Sequence, residues 1–384
     1  MQMQIIMRKV VVASDSFKGC LSSAQVADAV EMGIRAVCPD CEVVKLAVAD
    51  GGEGTMDALA ATLGGSIVKV QVQDPLCRPI EAGYVIVNGT TAVMEMSRAS
   101  GLPLLKPHER NPLKTSTYGT GQLIADALSK GCRRFIMGIG GSATNDAGTG
   151  MLEALGYRFL DAEGNPLKGR GESMGKIKFM ETSGVLPELK EASFIVACDV
   201  DSPFCGPEGA AYVYAPQKGA SQEMVKALDE GMQAFSKLIY QKTGTDVMNI
   251  KGAGAAGGLG GALKAFLNAD LQKGADMVLD AVSFDQAMED ADLIITGEGR
   301  IDSQTLTGKL PYAVALRASY GNIPVIAVCG RTEVESLPCF ARICPVTPPE
   351  MPLSEAMKVT NAQANIRSAV AGCLNFLQRN SEIC

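Results

Sequence analysis

One glycine-rich stretch of the chain has the composition of an anion-binding loop. It runs from Gly138 to Asp146 (GIGGSATND), follows an apolar segment and precedes a segment with helical spacing. Glycine lets the backbone approach an anion closely, and free amides at a helix N-terminus, together with Ser and Thr hydroxyls, bind phosphate or carboxylate. The same residues could also form a tight turn in which Asn145 or Asp146 caps the helix. Taken alone, the stretch supports the anion-binding interpretation and the tight-turn interpretation about equally.

Four further glycine-flanked polar loops end apolar strands or open helices, at residues 15–19, 50–55, 199–206 and 297–302. In open α/β sheets, ligands bind at the carboxyl ends of the strands, so such loops can meet at one site. None of the loops reads GxxxxGK[ST], which argues against a P-loop. GxGxxG spacing occurs at residues 252–257, but no strand of clear period precedes it. The sequence therefore lacks a dinucleotide-binding fingerprint as well.

Acidic residues concentrate in these loops, with basic residues nearby. The acids are Asp15, Asp50, Glu53, Asp146, Asp199, Asp201, Glu298 and Asp302, and the bases are Lys18, Lys218, Arg300 and Lys309. Phosphoryl transfer needs this mixture, because carboxylates hold Mg²⁺ or accept a hydroxyl proton and cations steady the transferring group. Helix capping could explain any one of the acids. It explains less well why all of them lie beside glycines and bases.

Composition excludes several other classes of protein. The 384 residues carry a net charge of −7 and include one His and no Trp. An acidic chain offers no broad basic surface for nucleic acid. The presence of one His argues against a His triad and against a metal site built from several His residues. The 12 Cys lack regular spacing, no secretory segment precedes them, and no apolar run reaches eighteen residues. We therefore expect reduced thiols, a cytoplasmic location and no membrane span.

The elements that must position these loops follow an alternating pattern. A β-branched run at residues 10–13 is followed by helical spacing at residues 26–37, and short apolar runs recur at residues 43–48, 292–296 and 324–328. Strands that are nearly all apolar and alternate with helices indicate a parallel sheet covered on both faces. From Ser66 to Met96 the apolar residues alternate instead, and Asn88-Gly89 predicts a hairpin. We interpret this region as the start of a mixed α+β unit inserted into the first.

Taken together, the motifs resemble those of the bacterial type I glycerate kinases, and the match runs almost from end to end. The motifs are DSFKG (15–19), ADGGEGT (49–55), GIGGSATND (138–146), ACDVDSPFCGPEGA (197–210), PQKGA (216–220), GAGAAGGLG (252–260) and ITGEGRIDSQT (295–305). The resemblance implies an α/β fold with a Rossmann-like parallel-sheet domain built from both chain ends, residues 1–66 and 287–384. A large mixed α+β domain, residues 67–286, would be inserted into it.

The resemblance also implies an activity and its participants. The family transfers the γ-phosphoryl group of ATP to D-glycerate with Mg²⁺, and 2-phosphoglycerate is the product we expect, in glyoxylate or sugar-acid catabolism. Candidate positions follow from the matching motifs. We assign catalysis to Asp199 and Lys18, and metal binding to Glu298, Asp302 and Asp201. Substrate or phosphate binding falls to Asp15, Ser16, Asp50, Gly51, Gly52, Glu53, Gly140, Gly141, Ser142, Thr144, Asn145, Lys218 and Arg300.

Physical chemistry suggests how the two catalytic candidates divide the work. Asp199 ends an apolar strand, so its backbone should be held rigidly, as a group that accepts a hydroxyl proton requires. Lys18 can reach a moving phosphoryl group as a point charge on a flexible stem.

Other functions remain open from the sequence. The chain could phosphorylate another small sugar acid, or it could be a non-catalytic protein that binds a metabolite. Acidic loops bind an anion poorly unless Mg²⁺ is also there, which favours a kinase. A nicotinamide dehydrogenase is disfavoured by the missing dinucleotide fingerprint and by the near absence of His. We expect small molecules as the ligands, with no nucleic acid and no membrane, and the sequence does not fix the oligomeric state.

Overall fold

The computed structural model describes residues 7–52 and 54–380, apart from the side chains of residues 304, 307 and 378–380. The chain forms two compact units. The first, called here the terminal unit, comprises the chain up to Asp50, Asp57–Gly64 and the chain from Ala275 onward. The second, the central unit, comprises Gly51–Met56 and Gly65–Gly274. Compact units need not fold independently, so the domain boundaries at residues 66/67 and 286/287 stay predictions.

Strands and helices alternate along much of the chain. The strands are β1 (Lys9–Ser14), β2 (Glu42–Ala47), β3 (Gly65–Gln73), β4 (Pro79–Val87), β5 (Thr91–Glu95), β6 (Arg134–Gly138), β7 (Arg158–Leu160), β8 (Pro166–Leu167), β9 (Phe179–Glu181), β10 (Ser193–Ala197), β11 (Asp270–Gln272), β12 (Leu293–Ile301), β13 (Val325–Thr332) and β14 (Arg342–Pro345). The α-helices are α1 (Ser23–Arg35), α2 (Thr55–Leu63), α3 (Ser97–Ser100), α4 (Tyr118–Ser129), α5 (Thr149–Ala154), α6 (Ala210–Tyr214), α7 (Gln222–Thr243), α8 (Ala255–Leu267), α9 (Gly274–Ala281), α10 (Phe284–Ala287), α11 (Leu310–Tyr320), α12 (Leu353–Ala356) and α13 (Val359–Asn380). Short 3₁₀ helices cover Leu102–Leu104, Pro107–Glu109, Gly171–Lys176, Pro187–Glu191, Pro216–Lys218, Val247–Asn249 and Ser303–Thr307.

The terminal unit contains a five-stranded sheet in the order β14-β13-β12-β1-β2, with every pair parallel. Successive residues of β1 point to opposite faces, and Val10, Val11 and Val12 are all buried. Val10 and Val12 share a core with residues of α1 and α13, while α11 packs against β1, β12 and β13. The predicted parallel sheet covered on both faces, and with it the α/β class, is confirmed.

The direction of winding reverses between β1 and β12. From β1 the chain moves to β2 on one side, whereas β12 is followed by β13 and then β14 on the other. Such a reversal is where ligands bind in open α/β sheets, at the carboxyl ends of the strands. The segments that follow β1 and end β12 are therefore placed where a ligand is expected.

One predicted loop is part of a strand. The sequence led us to end the strand at Thr296 and to treat residues 297–302 as a loop, but β12 continues to Ile301 beside β13. A Cβ atom on Gly297 would lie 2.3 Å from the carbonyl oxygen of Val328, and one on Gly330 would lie 2.7 Å from that of Gly299. The glycines let the two backbones run close together, so pairing persists through a segment whose composition is typical of a loop.

The central unit contains a six-stranded mixed sheet in the order β11-β10-β6-β5-β4-β3. Strands β3, β4 and β5 pair antiparallel, whereas β5, β6, β10 and β11 pair parallel. Asn88 and Gly89 turn the chain between β4 and β5 with φ values of 51° and 71°, which confirms the predicted hairpin. A small sheet in the order β8-β7-β9 completes the unit. Of its parallel strands, β6 ends at Gly138, the first residue of the 138–146 loop, and β10 ends at Ala197, two residues before Asp199.

None of the helices built from the described residues combines the length and apolarity that crossing a membrane requires.

Candidate functional site

A cavity of about 430 Å³ lies at the carboxyl ends of β6 and β10 in the central unit. Apolar residues such as Leu102, Ile139 and Val200 form part of its wall. Many of the residues predicted from the sequence lie on it: Gly51, Gly52, Gly140, Gly141, Ser142, Asp199 and Lys218. The structure thus brings four separate motifs to one cavity, which we call the central cavity.

Lys218 supplies the positive charge of the central cavity. Its side chain lines the cavity although the residue is only 2% exposed. The ammonium donates hydrogen bonds to Ser142 Oγ at 2.7 Å and to the carbonyl oxygen of Thr144 at 2.7 Å. Burial lowers the pKa of Lys218 to about 7, against the opposing charge of Asp146. An ammonium has three donors, so a third can serve a ligand.

Asp146 holds the 138–146 loop in place from behind. It is fully buried and accepts hydrogen bonds from the Thr117 amide and hydroxyl and from the amides of Gly148 and Gly150. Burial raises the pKa of this carboxyl, and the four hydrogen bonds oppose the rise. Asp146 therefore organises the turn that leads into α5, whose N-cap residue is Gly148, while Gly140–Ser142 are left to face the cavity.

Thr144 and Asn145 do not line the cavity. Both are completely buried, and Asn145 Nδ2 lies 3.2 Å from the sulfur of Met232. Within residues 7–52 and 54–380, Thr144 Oγ1 and Asn145 Oδ1 find no hydrogen-bond partner. The Thr144 carbonyl accepts a hydrogen bond from the Lys218 ammonium, so the buried part of the loop helps to position the lysine. A direct role for either side chain in ligand binding stays a prediction.

The glycine-rich segment at residues 252–260 supports the same loop. Ala256, Gly257 and Gly258 adopt left-handed φ values of 54°, 71° and 90° within α8. A Cβ atom on Gly257 would lie 2.2 Å from the carbonyl oxygen of Thr144. The Gly257 carbonyl in turn accepts a hydrogen bond from the Ala147 amide at 2.9 Å. The segment is thus a close packing contact, and Ala255 and Ala256 also line the cavity.

Gly51 and Gly52 reach the central cavity because their neighbours are anchored. The amides of Gly54 and Met56 each donate a hydrogen bond of 3.0 Å to Glu95 Oε1, and Glu95 is buried at the end of β5. A Cβ atom on Gly51 would lie 2.3 Å from the Cα atom of Gly274. Glu53, also predicted to bind substrate or phosphate, lies outside the described residues.

Asp199 and Asp201 follow β10 but differ in their surroundings. Asp199 lies on the cavity wall, and its Oδ1 accepts a hydrogen bond of 2.8 Å from the amide of Gly274. Asp201 is exposed, and its carboxylate lies 3.6 Å from the ammonium of Lys251. Asp199 is therefore placed to contact a ligand in the cavity, whereas Asp201 forms an exposed ion pair with Lys251.

In the terminal unit, the loop after β1 carries Asp15, Ser16 and Lys18. Asp15 is buried, and its Oδ1 accepts a hydrogen bond of 2.6 Å from the amide of Ser16. Burial and the neighbouring carboxylate of Asp50 together raise the pKa of Asp15 to about 6. The ammonium of Lys18 lies 3.7 Å from Asp50 Oδ2 and remains largely exposed. These residues form a compact acidic and basic group beside the reversal of the sheet.

The end of β12 carries the other predicted residues of this unit. Glu298 accepts a hydrogen bond from the Thr305 hydroxyl at 2.8 Å, and its second oxygen lies 3.4 Å from the ammonium of Lys309. Burial raises the pKa of Glu298, and these two partners oppose the rise. Arg300 lies 3.6 Å from the carboxylate of Asp302.

The described residues contain no cluster of three or more His, Cys, Asp or Glu side chains arranged as metal ligands. Mg²⁺ needs no such cluster in a nucleotide enzyme, because one or two carboxylates plus phosphate oxygens suffice. The carboxylate of Asp302 contributes to the raised pKa of Glu298, so the two negative charges are near enough to interact. Asp201 belongs to the central unit and pairs with Lys251.

A second cavity, of about 510 Å³, opens in the terminal unit and is called here the terminal cavity. Of the predicted residues, Lys18 and Arg300 lie on its wall. The sequence did not point to the other polar and apolar residues that line it, among them Arg331, Glu333, Met357 and Asn365. The run Gly330-Arg331 after the apolar start of β13 was the available signal, since it repeats the pattern of a strand followed by glycine and charge.

Comparisons with known proteins point to one family. Residues 10–378 match the sequence profile described as the glycerate kinase family. The glycerate kinase of Bacillus subtilis (strain 168) is 44% identical over 91% of this chain and 93% of its own. The glycerate 2-kinase of Escherichia coli (strain K12) is 44% identical over 84% of this chain and 85% of its own. A crystal structure described as glycerate kinase 2 from Salmonella typhimurium LT2 has a TM-score of 0.91 at 41% identity, covering 98% of this chain and all of that one.

Proposed function

The chain belongs to the glycerate kinase family, and we propose that it uses ATP to phosphorylate D-glycerate to 2-phosphoglycerate. The position of the new phosphoester is taken from the E. coli relative, which is called a glycerate 2-kinase. The proposal includes the setting predicted from the sequence, in which a cytoplasmic enzyme acts in glyoxylate or sugar-acid catabolism.

The observation that carries the proposal is the buried ammonium of Lys218 on the wall of the central cavity. A cation with little access to water gains much from an anionic ligand, because the ligand replaces the hydration that burial removed. Ser142 Oγ, which already accepts from Lys218, and the glycine amides of the same loop are further groups that can bind oxygen atoms. A small hydroxy acid such as glycerate offers a carboxylate and two hydroxyls to such a wall.

Asp199 is the group in the central cavity that we assign to the hydroxyl proton. A carboxylate within hydrogen-bond reach of a substrate hydroxyl can accept its proton as the new bond to phosphorus forms. The hydrogen bond from the Gly274 amide fixes one oxygen of Asp199, which orients the other. Lys18 of the terminal unit is assigned to the transferring phosphoryl group, for which its exposed and flexible side chain is suited.

Mg²⁺ is part of the proposal, with Glu298 and Asp302 as the residues that would hold it. Bound there, the ion would supply positive charge to offset the negative charge of the phosphates. The carboxylate chemistry of the two side chains fits this role. Burial raises the pKa of Glu298 although the ammonium of Lys309 opposes the rise, so a further cation would stabilise the charged carboxylate. Asp201 stays a candidate ligand from the sequence alone.

Release of ADP by the purified protein tests the proposal. We expect ADP to form from ATP and Mg²⁺ when D-glycerate is added, and EDTA to abolish the reaction. ADP release no faster than the glycerate-free background would overturn the proposal.

Two further assays separate the alternatives. Faster turnover of another small sugar acid would identify that acid as the substrate. Calorimetric binding of glycerate without any turnover would favour a metabolite-binding protein.

A further inference from the structure

The wall of the terminal cavity combines cationic residues and apolar residues, called here its cationic end and its apolar end. The cationic residues come from the loop after β1 and from the ends of β12 and β13, and the apolar residues come from the chain after β14 together with α12 and α13. A ligand that fills the cavity meets both kinds of residue, so we expect it to carry negative charge as well as a sizeable apolar surface.

The cationic end is built from Lys18, Arg300 and Arg331, and among the described residues Glu333 is the one carboxylate on the cavity wall. Arg300 and Arg331 are direct neighbours on the paired strands β12 and β13. Like charges directly opposite each other on paired strands are destabilising. Arg300 pairs with Glu333 and Asp302, but no ion pair or hydrogen bond joins the guanidinium of Arg331 to any described residue. This excess of positive charge, in a chain of net charge −7, favours an anion.

The apolar end exposes large side chains to the cavity. Leu353 is 50% exposed and Met357 is 39% exposed, and both line the cavity with Val346 and Ala362. Exposed apolar residues gathered in a concave surface are typical of ligand sites, and a flexible thioether adapts well to a planar ring. Asn365 also lies on this wall, and its Nδ2 contacts the sulfur of Met351 at 3.3 Å. Its amide can hydrogen-bond the polar edge of a ring.

We propose that the terminal cavity binds the nucleotide, with the base between Met357 and Ala362 and the phosphates at Lys18, Arg300 and Arg331. The inference rests on the proposed function for the identity of the nucleotide as ATP. Glycerate itself has no ring or apolar body to cover Leu353 and Met357. The position beside the reversal of the sheet agrees with the general location of ligands in open α/β folds.

Two substitutions test the two ends of the cavity separately. Met357→Trp fills the apolar end, and Arg331→Gln removes the unpaired charge, and both positions are exposed enough that folding should survive. The matched control for the first is Met32→Trp, at a residue of α1 that is 56% exposed and does not line the cavity. Arg331→Lys, which keeps the charge, is the control for the second.

The readout is calorimetric binding of ADP, adenosine and inorganic tripolyphosphate, followed by steady-state kinetics. We expect Met357→Trp to weaken ADP and adenosine by at least ~10-fold while leaving tripolyphosphate unchanged. Arg331→Gln should weaken ADP and tripolyphosphate to a similar extent but not adenosine, and Arg331→Lys should restore most of that loss. In the kinetic assay, KM for ATP should rise in both variants while KM for D-glycerate stays near the wild-type value.

The outcomes distinguish this inference from the proposed function. If the wild-type enzyme turns over glycerate and both variants bind ADP as tightly as the wild type, the placement of the nucleotide is wrong and the proposed function stands. If the wild type shows no turnover but ADP binding falls in both variants, the cavity is a nucleotide site and the proposed function is wrong. Equal weakening by Met32→Trp would also overturn the placement.

Discussion

Substitution of Lys218 by Met gives a test that separates a lysine kept for ligand binding from one kept for stability. The ammonium is buried and its pKa is lowered by that burial to about 7. In the unfolded chain the same group titrates near its ordinary value, about 10.4. Between these two values the unfolded state holds a proton that the folded state has released. Stability therefore rises with pH across this window, and Lys218 adds no pH dependence below it.

The magnitude follows from the size of the shift. Each pKa unit corresponds to about 1.4 kcal/mol, so the whole window contributes about 5 kcal/mol and the part below about pH 9 contributes about 2–3 kcal/mol. Lys218→Met abolishes this pH-dependent component. The variant also loses the bonds to Ser142 Oγ and to the Thr144 carbonyl, but that loss changes little with pH. The difference in unfolding free energy between the two proteins should therefore shift by about 2–3 kcal/mol between about pH 6 and about pH 9.

Urea denaturation at these two pH values measures the shift. The control is Lys226→Met, because Lys226 lies on α7 of the same unit with an exposed side chain. We expect Lys226→Met to follow the wild type at both pH values. An unfolding free-energy difference between wild type and Lys218→Met that stays constant with pH would mean that burial does not lower the pKa of Lys218. Under the proposed function, Lys218→Met should also raise KM for D-glycerate by ~10²-fold, the scale of losing a charge-assisted hydrogen bond.

The remaining predictions concern catalysis and packing. Asp199→Asn should lower kcat by ~10²-fold or more with little change in KM for ATP, measured by steady-state kinetics, and near wild-type turnover would exclude Asp199 as the base. Lys18→Ala should lower kcat/KM to an extent that corresponds to about 2–4 kcal/mol of lost transition-state stabilisation. An unchanged kcat/KM would mean that the lysine is only solvated. Because burial and a neighbouring carboxylate raise the pKa of Asp15 from 3.8 to about 6, its contribution to stability is lost as the pH rises through about 6. The unfolding free energy of the wild type should therefore fall by about 3 kcal/mol through Asp15 between about pH 4 and about pH 7. Denaturation of Asp15→Asn should not show this fall. Gly257→Ala should destabilise the protein by more than about 2 kcal/mol, because the new Cβ atom would lie 2.2 Å from a backbone oxygen. Gly244 has a similar φ, but a Cβ atom there would meet nothing within 4 Å, so Gly244→Ala should destabilise the protein by about 1–2 kcal/mol.

Local sequence patterns were enough to predict the architecture where strands are buried and helices amphipathic. The apolar run of β1 and the spacing of Val26, Val30 and Ile34 in α1 each specify one element without reference to the rest of the chain. The end of β12 could not be predicted in this way. Gly297 to Ile301 form a strand only because β13 pairs with them, which is a long-range effect.

The candidate site was predictable to the extent that it is carried by glycine-rich motifs. The sequence identified Gly140, Ser142 and Lys218, and the structure places them on one cavity. It gave no sign that Lys218 is buried, because its neighbours Pro216, Gln217 and Gly219 have the composition of a surface turn. The burial arises from contacts with a loop more than seventy residues away.

The terminal cavity escaped prediction for a similar reason. Met357 and Ala362 have the composition of ordinary core residues, and Asn365 that of an exposed helical position. Only the packing of α12 and α13 beside the strand ends brings these residues next to Arg331.

The most direct test of the central claim is the ³¹P NMR spectrum of a reaction containing the purified protein, ATP, Mg²⁺ and D-glycerate. We expect the resonance of 2-phosphoglycerate to grow in step with that of ADP while the γ-phosphate signal of ATP declines. A spectrum in which ATP persists unchanged would contradict the assignment of the chain as an ATP-dependent glycerate kinase. A phosphomonoester resonance of 3-phosphoglycerate would contradict the proposed position of transfer.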